Sequence, residues 1–190
     1  APAQCREGRS ALDIPVPEDP QLRRAVEDLR IEMEALQRFK ILGQFEEGAP
    51  RLEQWIERSR ALGFDPLTAF LLLQRAHFAV QMGDWPQVEA YGAQSLRLGL
   101  RTGYTHVVTE SFVTLARASM YGERFDDARE YYELARESAG HLGADPVTAN
   151  ILVEMARLDM KDGGRDGGQV EAQLREALAL FGDKSDNSAI

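Results

Sequence analysis

Two short stretches decide the reading of this chain: Leu62-Gly63-Phe64-Asp65-Pro66 and His141-Leu142-Gly143-Ala144-Asp145-Pro146. In each, a glycine closes one segment and an Asp-Pro pair opens the next. Glycine takes the positive-φ conformation after a last helical turn without steric cost. Pro needs no N–H in a first turn, and Asp is suited to accept from a free N–H there. The two corners lie two periods of 40 residues apart, and Gly103 sits midway between Gly63 and Gly143. A second glycine series, Gly43, Gly83 and Gly163, keeps the same 40-residue period at an offset of 20. Phe45, Trp85 and Phe125 share it, as do Ala76, Ala116 and Ala156, and Leu72, Phe112 and Leu152. Each half-period therefore reads as one helix and a tight turn, and each full period as a helix pair.

Between turns the apolar spacing is helical. Leu52, Trp55, Ser59 and Leu62 fall three or four apart, as do Ala128, Tyr131, Ala135, Ser138 and Leu142, and Val170, Leu174, Ala177 and Phe181. No segment alternates with period two, so no sheet is predicted. The expected helices cover 20–42, 47–62, 66–82, 86–100, 104–121, 125–142, 146–162 and 169–181. A helix pair cannot bury its own stripe, whereas stacked pairs share a continuous core. Ala76, Ala116, Ala156, Ala128 and Ala135 are expected to let paired helices approach closely, with Phe45, Trp85 and Phe125 filling space at the turns. The reading divides the chain into a Pro-rich extended lead-in over 1–19 (Pro15, Pro17, Pro20), a helical repeat domain over 20–182, and a frayed polar tail over 183–190.

Composition narrows the class. A hydrophobic fraction of 44% with 28% charged residues fits a folded globular chain rather than a disordered one. No apolar run reaches the roughly 18 residues a membrane span needs. Ala1-Pro2-Ala3-Gln4-Cys5-Arg6 lacks the layout of a signal peptide, and the missing initiator Met fits a fragment or processed product. A net charge of −9, with Lys and Arg scattered among Asp and Glu, argues against nucleic acid. Cys5 is the single cysteine, which excludes an internal disulfide and a Cys-based zinc site. His77, His106 and His141 show no metal-ligand spacing. There is no Gly-x-Ser-x-Gly turn, and neither Gly182-Asp183-Lys184-Ser185 nor Gly163-Gly164-Arg165-Asp166-Gly167-Gly168 has the context of a phosphate loop. The expectation is a protein without catalytic residues, metal or cofactor.

The repeats resemble the tetratricopeptide family. The third matches best, through Phe112, Leu115, Ala116, Phe125, Ala128, Tyr131, Tyr132 and Ala135. The second supplies Leu72, Ala76, Gly83, Asp84, Trp85 and Tyr91, departing at Arg75, Val88 and Ser95. Leu152, Met155, Ala156, Gly163 and Ala177 belong to the fourth, which carries a glycine-rich insertion, and Gly43, Phe45 and Trp55 anchor the first. That resemblance implies an all-α, right-handed superhelical solenoid of about four antiparallel helix pairs, with helices longer than the family's ~34-residue period allows. A narrower resemblance, carried by Cys5, Pro15-Val16-Pro17-Glu18-Asp19-Pro20 and Arg58-Ser59-Arg60-Ala61-Leu62-Gly63-Phe64-Asp65-Pro66-Leu67, is to the repeat region C-terminal to the kinase domain in bacterial eukaryotic-like Ser/Thr kinases of the myxobacterial type. It implies a non-catalytic interaction or sensing region of a signalling protein, cytoplasmic or held outside the cytoplasm by a membrane tether.

In this family the first helix of each pair lines a concave groove. Projected here, that rule selects Phe70, Gln74, His77 and Gln81; Glu110, Val113, Thr114, Arg117 and Tyr121; and Asn150, Val153, Glu154, Arg157 and Lys161. The carboxylate clamp of some relatives needs Lys and Asn where this chain has Leu73/His77, Val113/Arg117 and Val153/Arg157, leaving two arginines to meet an acidic group. Three functions stay open: a protein- or peptide-binding scaffold, a small-molecule-sensing regulatory domain, and a self-association module.

Overall fold

The computed structural model describes residues 14–143, 145–163 and 167–182, so Cys5, most of the lead-in, Gly164-Arg165-Asp166 and the 183–190 tail lie outside the described residues. Those described form nine α-helices and no strand. They are α1 Pro20–Met33, α2 Ala35–Leu42, α3 Phe45–Leu62, α4 Asp65–Met82, α5 Trp85–Thr102, α6 Thr105–Tyr121, α7 Phe125–Leu142, α8 Asp145–Asp162 and α9 Gly167–Gly182. Each helix packs on its neighbour in sequence; α1 also reaches α3, and α4 reaches α6. No described helix is long and apolar enough to cross a membrane.

The turns follow from backbone chemistry. Gly43, Gly63, Gly83, Gly103 and Gly143 cap their helices at φ between 59° and 71°. The repeated corner is the same in detail: Gly83 N–H donates to Val80 O and Asp84 N–H to Ala79 O, and one period on Glu123 N–H donates to Met120 O and Arg124 N–H to Ser119 O. There the left-handed position falls on Glu123, at φ 59°, while Gly122 beside it stays at φ −82°.

Two expectations are corrected. The helix expected over 20–42 is broken at Glu34, where Glu34 N–H donates to Ile31 O and Gln37 N–H to Glu34 O in a tightened turn. The break lets both halves pack on α3, with Val26, Leu29 and Met33 buried on α1 and Leu36 on α2. Asp65 does not cap α4: Phe64 is the N-cap, and Asp65 is the first helical residue, accepting from Arg101 at 2.5 Å. Its charge still sits at the positive end of the helix dipole. Side-chain caps come instead from Asp19, which accepts from the N–H groups of Gln21 and Leu22, and Asp84, which accepts from Gln87 N–H.

The core is layered between helices. Ala76, Ala116, Ala156, Ala128 and Ala135 are all fully buried. The α4 helix is buried on nearly every side from Leu67 to Ala76, because α3, α5 and α6 all pack against it. Burying each large apolar side chain there contributes about 1.5–3 kcal/mol. Close approach of α5 and α6 depends on two glycines: a Cβ on Gly92 would lie 3.2 Å from Leu115 Cδ2, and one on Gly99 3.1 Å from Val108 Cγ2. The turn aromatics are half-buried; Phe45 meets Phe78 edge-on at 5.1 Å between ring centres, and Trp85 stacks on Tyr121 at 4.1 Å.

Arg75 is buried between α3 and α5. It pairs with Glu53 at 2.9 Å, donates to Gln87 and lies 4.8 Å over the Tyr91 ring. Tyr91 in turn donates to Glu53. This polar cluster ties α3, α4 and α5 together.

Candidate functional site

Two adjoining clefts run across α2, α4, α6 and α8, the first-type helices that precede the second-type α3, α5, α7 and α9. One, of about 350 Å³, is lined by Glu110, Val113 and Arg117 of α6 and by Val147, Asn150, Ile151, Val153, Glu154 and Arg157 of α8. The other, of about 440 Å³, is lined by Lys40, Phe45, His77, Phe78, Val80, Gln81, Glu110 and Arg117. Glu110 and Arg117 belong to both, so α2, α4, α6 and α8 form one continuous groove.

Glu154 organises one end. Its side chain is only 12% exposed, and Oε1 accepts from Arg117 Nη2 and Arg157 Nη1, both at 3.1 Å. Tyr132 Oη, buried in α7, donates to Oε2 at 3.4 Å. Burial opposes the Arg117 charge, but the Glu154 carboxylate outweighs it and holds the guanidinium above its ordinary range. Burial and the same carboxylate push the Tyr132 phenol upward, so its proton stays on. The acidic partner expected for the two arginines is thus supplied by the chain itself, although each guanidinium retains further N–H donors.

Lys40 and His77 shape the other end. Lys40 Nζ donates to the buried Gln74 Oε1 at 2.5 Å, and burial lowers its pKa against the opposing pull of Glu110. Burial, then the charges of Lys40, Arg117 and His106, hold the His77 imidazole down to about 3. At neutral pH the groove thus presents an uncharged imidazole between two cations. Lys40, Arg117 and Arg157 stand against Glu110 and Glu154, leaving one cation in excess on a chain of net charge −9.

Nine of the fourteen projected residues meet in this groove: His77, Gln81, Glu110, Val113, Arg117, Asn150, Val153, Glu154 and Arg157. The other five are placed elsewhere. Gln74 lies buried beneath Lys40, and Thr114 is buried with its hydroxyl donating to Glu110 O of its own helix. Phe70 is a core residue facing a separate cavity. Tyr121 stacks on Trp85, and Lys161 lies over the Tyr121 ring and donates to Met120 O, so both belong to a turn-end cluster. Lys40, Phe45, Phe78, Val80, Val147 and Ile151 line the groove without having been selected. The repeat carried a signal for part of this, since Lys40 and Val80 stand one period apart.

Among the described residues no cluster of three or more His, Cys, Asp or Glu is arranged to hold a metal ion. The groove offers hydrogen-bond donors, acceptors and apolar walls, an arrangement suited to holding an extended polar chain. Neither a family model nor a curated protein matches this sequence.

Proposed function

We propose that this chain is a non-catalytic scaffold that binds a protein or peptide segment, built from stacked tetratricopeptide-like helix pairs wound into a right-handed solenoid. The observation that carries the reading is the continuous groove, in which α2, α4, α6 and α8 together offer Lys40, His77, Glu110, Arg117, Glu154 and Arg157 along one path. A segment spanning both clefts would meet charge of both signs between apolar walls, which favours a polypeptide over a single small ion. The resemblance to kinase-associated repeats supports placing it as the interaction region of a larger signalling protein.

The test uses the chain as bait on lysate of its source. Arg157→Ala and Gln81→Glu alter exposed groove positions at opposite ends and leave the half-buried Arg117–Glu154 pair in place. A partner retained by the unaltered chain and lost with both changes supports the groove. A partner retained equally by the folded variant assigns binding to another surface.

One observation favours a second reading, a small-molecule-sensing domain. A cavity of about 120 Å³ lies at the α1–α2 break, walled by Ile14, Met33, Leu36 and Phe70 with Arg30, Glu34 and Gln37 at its edge. Apolar cavities near this size take up benzene-sized molecules. Stabilisation of the chain by small apolar compounds, abolished by Leu36→Trp, would favour this reading; no shift across such a series would dismiss it.

A further inference from the structure

Each inner first-type helix leans on the second-type helix before it, and the contact uses recurring register positions. Ser111 of α6 donates to Ser95 of α5 at 3.0 Å, Leu115 lies over Gly92, and Tyr121 stacks on Trp85. On α8, Asp162 accepts from Arg129 of α7 at 2.9 Å. On α4, Arg75 pairs with Glu53 of α3. Counted back by multiples of 40 residues, Ser111, Tyr121 and Asp162 correspond to Ile31, Ile41 and Leu42 of α1 and α2. Those two helices stand at the head of the first pair, and among the described residues no helix precedes them. Ile31 is 57% exposed, whereas Leu71, Ser111 and Ile151 at the same register position are buried. Ile41 and Leu42 are 81% and 62% exposed.

The last second-type helix is open in the complementary way. On α5, Tyr91 lies under Arg75 of α4 while Gly92 faces Leu115 of α6. On α7, Tyr131 meets Phe112 of α6 while Tyr132 donates to Glu154 of α8. In both, the residue after the one that looks back along the stack looks forward. On α9, Gln173 is buried and donates to Asp159 of α8 at 3.0 Å. Leu174 therefore takes the forward side, and Leu178 and Phe181 continue its stripe at helical spacing. Those three are 37%, 69% and 45% exposed.

We infer that copies of this chain stack head to tail, the α9 stripe of one copy covered by Ile31, Ile41 and Leu42 of the next. A terminal repeat ordinarily carries a polar outer face. This chain carries an apolar one at each end, and the two are of opposite kind. One is a second-type helix without a first-type cover, and the other is a first-type face without a second-type support. Joining them reproduces the contact made at α3–α4, α5–α6 and α7–α8. The six side chains expose about 600 Å² of apolar surface. With a polar rim that suits an interface of about 1,200 Å², at the low end of specific association. Charge agrees with this polarity. The end of α8 brings Asp159 and Asp162 onto Arg129, near the start of α7. The same placement brings Arg38 of one copy, exposed and without an ion pair among the described residues, to Glu171 near the start of α9. Glu171 is itself exposed and pairs with Arg175 on its own helix. Stacked so, α2 of the next copy follows α8 as a groove-lining helix, and the groove runs on from copy to copy. A heterologous contact of this kind lets chains of copies grow.

Sedimentation velocity of the full chain, from about 5 µM to about 500 µM, should show species that grow with concentration. Leu178→Glu with Phe181→Glu removes one edge, and Ile31→Glu with Leu42→Glu removes the other. All four positions are exposed, and circular dichroism checks that each variant keeps the fold. Each variant alone should associate at least tenfold more weakly. An equimolar mixture of the two should form a 1:1 dimer and stop there, because each retains the edge that the other has lost. Arg38→Glu should weaken association and Glu171→Arg in the same chain should restore it, a second test should either Glu pair unfold the protein. Arg157→Ala in the groove should leave association unchanged, which separates this result from the scaffold reading. A chain that stays monomeric throughout the range overturns the inference. So does association that only the α9 variant abolishes, since α9 would then pair with α9, and so does a variant mixture that fails to dimerise.

Discussion

Glu123→Gly should stabilise the protein. Position 123 occupies the left-handed cap at φ 59°, with the same pair of backbone hydrogen bonds that Gly83 and Asp84 make one period earlier. A residue with a Cβ costs about 1–2 kcal/mol in that conformation. Glycine removes the cost but returns about 0.4–1 kcal/mol through its freer unfolded chain. The Glu123 side chain is exposed in a cleft with Asp126, Asp127 and Asp162, and Arg124 there pairs with Glu89 and Asp127, so losing the Glu123 carboxylate relieves repulsion. The net gain is about 0.5–1 kcal/mol, or roughly 1–4 °C in Tm for a chain of this size. Urea unfolding followed by circular dichroism measures it. Glu123→Ala separates charge from backbone: it keeps the strained φ and should recover little. Equal stabilisation by Ala and Gly, or loss of stability in the Gly variant, would refute the backbone argument.

Glu154→Gln strips the charge that neutralises Arg117 and Arg157, and is expected to cost about 1–3 kcal/mol in urea unfolding, whereas Arg157→Ala, at an exposed end of the same pair, should cost under about 1 kcal/mol. The depressed His77 pKa makes the unfolded chain the better proton acceptor, so its contribution is fully present above the unfolded value of 6.5 and is lost as pH falls toward about 3. Wild type should therefore lose up to about 2 kcal/mol more than His77→Gln between pH 7 and pH 5, and parallel pH–stability curves would contradict that. Gly92→Val crowds Leu115 at the α5–α6 contact and should lower stability by about 1–3 kcal/mol; an unchanged denaturation midpoint would mean that the two helices separate freely.

The cleft residues divide by how far their placement can be read along the chain. His77, Arg117 and Arg157 share one register position at 40-residue spacing, so helical geometry alone puts them on equivalent faces. Lys40 joins them from α2, which begins past the break at Glu34, a break with no Pro or Gly to announce it. Thr114 and Gln74 are polar residues on the same first-type helices, yet neighbouring helices bury both. Polarity in sequence does not distinguish a side chain bonded inside the stack from one that faces the groove.

What the sequence by itself determined is the local grammar: all-α segments of nearly constant length, glycine at most of the left-handed caps, and small residues where paired helices cross. These depend on backbone conformation and side-chain size over a few neighbouring residues, and both are written in the order of the chain. The tertiary structure alone decided that Glu154 takes both arginines, that Phe70 faces a cavity rather than the groove, and that Leu174 and Phe181 of α9 are left partly exposed. Those outcomes depend on the rotation and approach of helices distant in sequence.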